Sequence, residues 1–334
     1  MTATERLARP LSIGRSTFRN RVFLAPMSGI TDSAFRSRAA AHGAGLVVTE
    51  MVASGELAKG REGSEQRIRR PDVDIHMVQL AGRQPGAMAE AARIAEGEGA
   101  DIVDINMGCP AKKVTGGYAG SALMRQPDHA LSLIEAVIGA VAVPVTVKMR
   151  LGWDETALNA PLLARRAEAA GVAMITVHGR TRCQFYQGRA DWRAVARVRD
   201  AVSIPLVVNG DISDAFDAAA ALGLSGADAV MVGRAAYGAP WMPALIAGTA
   251  AGVPVGPDAL LAYVTGHYEA MLDLYGIESG LRQARKHLGW YIDRHAPGAS
   301  PDLRRRVLTA GEPAAVLDAL GETLAAAETE RRAA

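Results

Sequence analysis

The sequence predicts an α/β fold: a (β/α)8 TIM barrel followed by a C-terminal all-helical domain. Three observations predict it. Short apolar runs rich in β-formers recur eight times, Ala/Leu/Arg-rich segments with helical periodicity separate them, and the strand pattern stops after the eighth unit. The runs are VFLAPM (22–27), LVVTEM (46–51), IHMVQLAG (75–82), IVDINMG (102–108), VTVKMR (145–150), MITVHGR (174–180), LVVNGDI (206–212) and AVMVGRA (229–235). Their starts lie roughly 24 to 32 residues apart with one exception, the spacing of βα units in a parallel sheet. A doubly wound sheet is the runner-up, but it wants a GxGxxG turn after the first strand, and APMSGITD is not one.

The exception is the step from the fourth strand to the fifth, which takes 43 residues. Its surplus is GCPAKKVTGGYAG, at the end where a barrel carries its active-site loops. It reads as a glycine-hinged lid, with a disordered surface insertion as the alternative. From about residue 258 to 331 the pattern is that of three or four helices. The predicted division is therefore a barrel domain over 1–252 and a helical domain over 253–334. Within 282–306 lie Arg282, Arg285, Lys286, Arg294, Arg304, Arg305 and Arg306 against Asp293 and Asp302. Arg282, Arg285 and Lys286 share one helix face, which is either a solvated face or a contact surface for nucleic-acid phosphates.

Composition narrows the class. Of 334 residues 49% are hydrophobic and 22% charged, ordinary for a globular protein. No apolar stretch approaches the roughly 18 residues of a membrane span, and MTATERLARPLSIG contains no signal-peptide core, so a cytoplasmic protein without a membrane partner is expected. Cys109 and Cys183 form neither a disulfide framework nor a CxxC pair, and no HxH, HExxH or carboxylate cluster offers a metal site. No metal and no protein partner are expected, and a monomer is. A net charge of +2 does not by itself announce nucleic acid. Only five of the 37 basic residues are lysines (Lys59, Lys112, Lys113, Lys148, Lys286), so those positions call for a compact point charge.

Strand alternation gathers polar residues at one rim. Asp104 and Asn106 share a face of the fourth strand, Lys148 and Arg150 of the fifth, Thr176 and His178 of the sixth, Asn209 and Asp211 of the seventh; Gln79 adds one from the third. Each alone reads blandly, His178 as a structural histidine and Lys148 as a lysine snorkelling to solvent. All sit near the C-terminal ends of their strands, and together they describe a binding site. NGDI and GRAAYGAPW supply the glycine loops that hold a phosphate in such barrels. The chemistry thus needs a phosphorylated organic cofactor, and Lys148 is either a Schiff-base lysine or a stabiliser of negative charge on a reduced ring.

At these residues the chain resembles the tRNA-dihydrouridine synthases, the bacterial B-type in particular. APMSGITDSAFR, VQLAG, DINMGCPAKKV, GSALM, VKMRLGW, HGRTR, NGDI, GRAAYGAPW and ARKHLGWY carry the likeness over about residues 17 to 295, GCPxKK being the most specific. The resemblance implies a barrel that binds FMN and a helical domain that binds tRNA. It implies reduction of a D-loop uridine, position 17 in B-type enzymes, with NADPH or NADH as reductant. Pro26, Met27 and Ser28 would line the flavin, Gln79 and Lys148 would bond its ring, and His178, Asn209, Gly210, Asp211, Gly233 and Arg234 would surround its phosphate. Asn106 and Arg150 would grip the uracil, Cys109 would protonate it, and Lys112, Lys113, Arg282, Arg285 and Lys286 would meet the RNA. An ordinary thiol, pKa about 8.5, is mostly protonated at neutral pH and can serve as an acid. After PAKKV the chain reads TGGYAGSAL, less basic than expected of B-type relatives. A small-molecule flavin oxidoreductase of the dihydroorotate type is the alternative, and the basic helices speak against it.

Overall fold

In a computed structural model residues 3–333 are described, with the side chains of residues 3, 4, 113 and 330–333 outside the description. A hairpin comes first, β1 (Leu11–Ile13) against β2 (Ser16–Phe18), antiparallel. Nine parallel strands follow: β3 (Val22–Leu24), β4 (Leu46–Val47), β5 (Val52–Ala53), β6 (Met77–Ala81), β7 (Ile102–Met107), β8 (Val145–Arg150), β9 (Met174–His178), β10 (Leu206–Asn209) and β11 (Ala229–Val232). Their order is β4-β3-β11-β10-β9-β8-β7-β6-β5. The open ends meet, because Val48, between β4 and β5, bridges Met77 of β6. So β4 and β5 are two halves of one barrel strand, and the barrel has the eight strands predicted.

The predicted second strand is interrupted for a local reason. The Gln79 N–H donates to the Thr49 hydroxyl (2.9 Å) rather than to a main-chain carbonyl, while the Thr49 N–H bonds Met77 O (3.0 Å). A side chain thus stands in for the ladder at this step.

Alternation sorts the strand residues into two cores. Phe23, Leu46, Val48, Met77, Ile102, Met174, Val207, Ala229 and Met231 fill the barrel's lower interior, together with Ile13 and Phe18 of the hairpin. Phe18, fully buried and edge-on to Phe23 (centroids 5.0 Å apart), closes that end; such burial contributes about 2–3 kcal/mol. Three-residue strands carry too little pattern to be seen in sequence, so the hairpin was not predicted. The opposite strand faces, Val78, Leu80, Val103, Ile105, Val147, Ile175, Val208 and Val230 among them, pack against the helices. The helices follow the same logic. Pro85–Gly97 starts on proline and buries Met88, Ala91, Ala92 and Ala95 at i, i+3, i+4 and i+7.

The chain divides into two compact units, Met1–Ala235 with Met242–Ala250, and Ala236–Trp241 with Ala251–Ala334. The second holds four helices, Pro257–Tyr275, Ile277–His295, Pro301–Thr309 and Pro313–Ala333. Aromatic packing attaches the short segment Ala236–Trp241 to them. Tyr237 stacks on Trp290 at 3.9 Å, Trp241 meets Tyr263 edge-on at 5.3 Å, and Gly238 lies directly against the Trp290 backbone. Among the described residues no helix is long and apolar enough to cross a membrane.

Candidate active site

Above the apolar floor the barrel interior turns polar, layer by layer. Asp104 of β7, 2% exposed, accepts hydrogen bonds from Gln79 Nε2 (2.7 Å) and Thr146 Oγ1 (2.5 Å). Burial pushes its carboxyl up to about 6, against the pull of those bonds and of Lys148. Gln79 Oε1 in turn accepts from Asn106 Nδ2 (2.7 Å). Asn106 Oδ1 accepts from the N–H groups of Gly108 (3.1 Å) and Cys109 (2.9 Å). A chain of hydrogen bonds therefore runs from the barrel's middle layer to the turn that carries Cys109.

That turn is braced on its far side. The Cys109 carbonyl accepts from the Ser121 N–H (3.1 Å) and hydroxyl (2.9 Å), and Arg150 Nε donates to Gly108 O (2.8 Å). The half-buried thiol is held above its ordinary range by burial, although the Ala111 N–H and the charges of Arg150 and Lys148 pull it down. Burial outweighs those two cations, and the group remains a thiol at neutral pH.

Register sets the next row. Asn106 stands beside Lys148, Lys148 beside Thr176, Arg150 beside His178, and His178 beside Asn209. Lys148 Nζ donates to Asn209 Oδ1 (3.0 Å), and Asn209 Nδ2 donates to Met231 O (2.8 Å). Burial first, and Arg150 second, lower the Lys148 ammonium to about 8. Burial and the cations Lys148, Arg150, Arg180 and Arg234 keep His178 well below its usual value, hence neutral. Its Nε2 lies 3.3 Å from Arg180 Nη1 and must be the acceptor, since a guanidinium only donates.

The loops after β10 and β11 form the third part. Gly210 takes φ 116°, and a Cβ there would sit 2.7 Å from His178 Cδ2, so only glycine fits. Asp211, at φ 52°, accepts from Arg180, from Arg234 Nη2 (3.0 Å) and from the Ala190 N–H (2.8 Å). Burial would raise its pKa, but those bonds and both guanidiniums hold it below the usual carboxylate range. Among the described residues the main-chain N–H groups of Gly210, Asp211, Gly233 and Arg234 donate to no other group. A Cβ on Gly233 would meet Met27 Sδ at 3.7 Å, so Met27 of the β3 loop comes close to this cradle. That loop, Pro26–Ser28, is pinned by Met27 N donating to Thr31 Oγ1 (2.9 Å) and by Gly29 N donating to the buried Glu50.

Two expected substrate contacts are otherwise engaged. Asn106 bonds the Cys109 turn and Gln79. Arg150, 1% exposed, donates to Gly108 O, Thr181 O (2.7 Å) and Phe185 O (2.8 Å), with its guanidinium 5.5 Å from the Tyr186 ring. Lys112 is exposed on the short helix Lys112–Thr115, and the Lys113 side chain lies outside the described residues. Arg282, Arg285 and Lys286 belong to the helical unit, on Ile277–His295. There Arg282 pairs with Glu278 (2.7 Å), Arg304 with Asp293, Arg305 with Asp302 and Arg306 with Glu322, so much of the basic cluster is neutralised within itself. Arg285 is exposed and has no ion pair among the described residues.

Sequence reasoning missed Arg180, Glu50 and Tyr186. Arg180 was legible in part: it lies two residues past His178 and so shares its face. Among the described residues no three His, Cys, Asp or Glu gather as metal ligands.

Comparison with known proteins adds the family. Residues 23–327 match the family described as dihydrouridine synthase (Dus). A probable tRNA-dihydrouridine synthase of Rhizobium leguminosarum is 55% identical over 316 residues, 95% of this chain and 99% of that protein. One from Rhodobacter capsulatus is 57% identical, covering 89% and 92%. A tRNA-dihydrouridine synthase B of Xanthomonas campestris is 45% identical, covering 92% and 93%. Among solved structures, the old yellow enzyme of Trypanosoma cruzi superposes with a TM-score of 0.57 at 15% identity, over 78% of this chain and 96% of that one. At that identity the likeness concerns the barrel fold alone.

Proposed function

The chain belongs to the dihydrouridine synthase family, and from that membership we propose that it is a flavin-dependent tRNA-dihydrouridine synthase. It reduces the C5–C6 double bond of a D-loop uridine, position 17 by its likeness to the B-type enzymes, with NADPH or NADH as reductant. The cofactor is FMN. The four undonated N–H groups of Gly210, Asp211, Gly233 and Arg234 suit a terminal phosphate, with the Arg234 guanidinium alongside. Lys148 and Met27, both at the barrel mouth, would hold the flavin ring. When bound, the flavin supplies the two-electron reduction of the double bond.

The chain's own residues do the remainder. Protonated Lys148, tied to Asn209, offers positive charge to a ring gaining electrons. Gln79, with one N–H and one lone pair beyond its bonds to Asp104 and Asn106, can bond the ring edge. Cys109 Sγ–H transfers its proton to C5 of the uracil; the thiolate left behind is steadied by Arg150, Lys148 and the Ala111 N–H, and regains a proton from water. Arg150 retains Nη2 for a uracil carbonyl while its other nitrogens hold the loops. Residues 253–334 serve as the tRNA-binding domain, with Arg285 in contact with phosphate.

The observation that carries this reading is the Asn106–Cys109 turn: a thiol fixed at the barrel mouth and kept protonated by burial. Purified protein incubated with unmodified tRNA and NADPH, followed by dihydrouridine mapping at single-nucleotide resolution, tests it. One D-loop position should be reduced, and Cys109→Ala should slow that by about 10²-fold or more, the scale of a lost general acid. Flavin-loaded protein that leaves tRNA unchanged would refute it.

A further inference from the structure

The lid bears an aromatic that the proposed chemistry does not use. Tyr118 is 57% exposed and sits at φ 59°, a left-handed conformation that is costly for a bulky side chain. It borders a cavity of about 410 Å³ lined also by Arg83, Gln84, Gln126 and His129. That volume falls within the roughly 300–1,000 Å³ of small-ligand sites.

The lining has a chemical direction. Arg83 makes no ion pair among the described residues. Gln84 and Gln126 are the N-cap residues of helices Pro85–Gly97 and Pro127–Ile138, and neither side chain caps its helix. The cavity therefore combines a π face, a guanidinium and two helix starts, which suits a base with its phosphate. His129 Nε2 bonds Arg83 O (2.8 Å) and ties the second helix to the first loop.

Its position ties it to Cys109. A Cβ on Gly120 would meet the Cys109 Cβ at 3.3 Å, and Tyr118 is two residues away, so its Cα lies within about 8 Å of that of Gly120. Beyond Lys113 the lid carries no cation, reading VTGGYAG. We propose that Tyr118 and Arg83 form a subsite for a nucleotide flanking the target uridine, its base stacked on Tyr118 and its phosphate against Arg83. The inference rests on the tRNA reading above and names how the substrate is held beside Cys109.

The test uses flavin-loaded enzyme with unmodified tRNA, comparing wild type with Tyr118→Ala, Tyr118→Phe and Arg83→Ala. Tyr118→Ala and Arg83→Ala should each raise KM for tRNA roughly five- to tenfold with kcat within twofold, while Tyr118→Phe stays near wild type. Flavin reduction by NADPH alone, followed by absorbance, should be unchanged in all three. An unchanged tRNA KM in Tyr118→Ala, beside an active wild type, overturns the subsite. So does a raised KM for NADPH, which would put the dinucleotide there instead. Emission from Tyr118→Trp, compared with wild type, should be quenched by tRNA and less so in the Arg83→Ala background. No quenching refutes the subsite whatever the activity, whereas quenching without any product refutes only the proposed reaction.

Discussion

At the residue scale, one charge is set by two neighbours. Lys148 is lowered to about 8 by burial and Arg150, while Asp104 partly restores it. A lysine with a depressed pKa is charged below that value and loses its charge as pH rises through it. Flavin reduction by NADPH, which needs that charge, should therefore decline above about pH 8. Asp104→Asn keeps the shape but removes the anion, so the decline should move to lower pH. Stopped-flow flavin bleaching across pH 6–10 measures both midpoints; coincident midpoints would refute the coupling. Lys148 and Cys109 were legible because residue type and strand end sufficed. Arg180 was legible only as sharing the face of His178, because its role comes from reaching Asp211 on the loop after another strand.

Elements explain what single residues do not. The long step after β7 was legible as an inserted segment from its spacing, but how it packs was not. Gly120, at φ 61°, has room for no Cβ: one would lie 2.8 Å from both Cys109 O and Val114 Cγ1. Gly120→Ala therefore strains the backbone and pushes on the carbonyl that Ser121 holds, costing about 1–3 kcal/mol locally. The loss should appear as kcat for dihydrouridine formation reduced tenfold or more, with flavin content and NADPH-driven bleaching at wild-type level. Loss of flavin from this variant would show that the lid supports the cofactor instead. The break between β4 and β5 escaped the sequence reading for a related reason. LVVTEM has the composition of an unbroken strand, and only the Gln79 N–H bond to Thr49 Oγ1 reveals the interruption.

For the whole molecule, eight strand positions and a helical tail, though not its exact helix number, were readable because both patterns repeat over many residues. Which cations face solvent unpaired was not readable, since ion pairing links residues distant in sequence, as in Arg306–Glu322 on different helices of the tail. That difference yields a quantitative expectation for RNA binding. Each phosphate contact contributes a slope of about −0.7 to −0.9 in log K against log salt. Arg285, exposed and without an ion pair among the described residues, should account for one such contact, whereas Arg305, paired with Asp302, should account for none. Binding of unmodified tRNA measured from 50 to 300 mM salt should thus lose about one unit of slope in Arg285→Ala and keep it in Arg305→Ala. Equal slopes in both variants would mean that the surface pairs open on binding, and that net charge, not the pairing pattern, governs the contact. Flavin reduction at saturating NADPH should ignore salt in every variant, because Lys148 and Arg150 lie inside the barrel, where screening is weak.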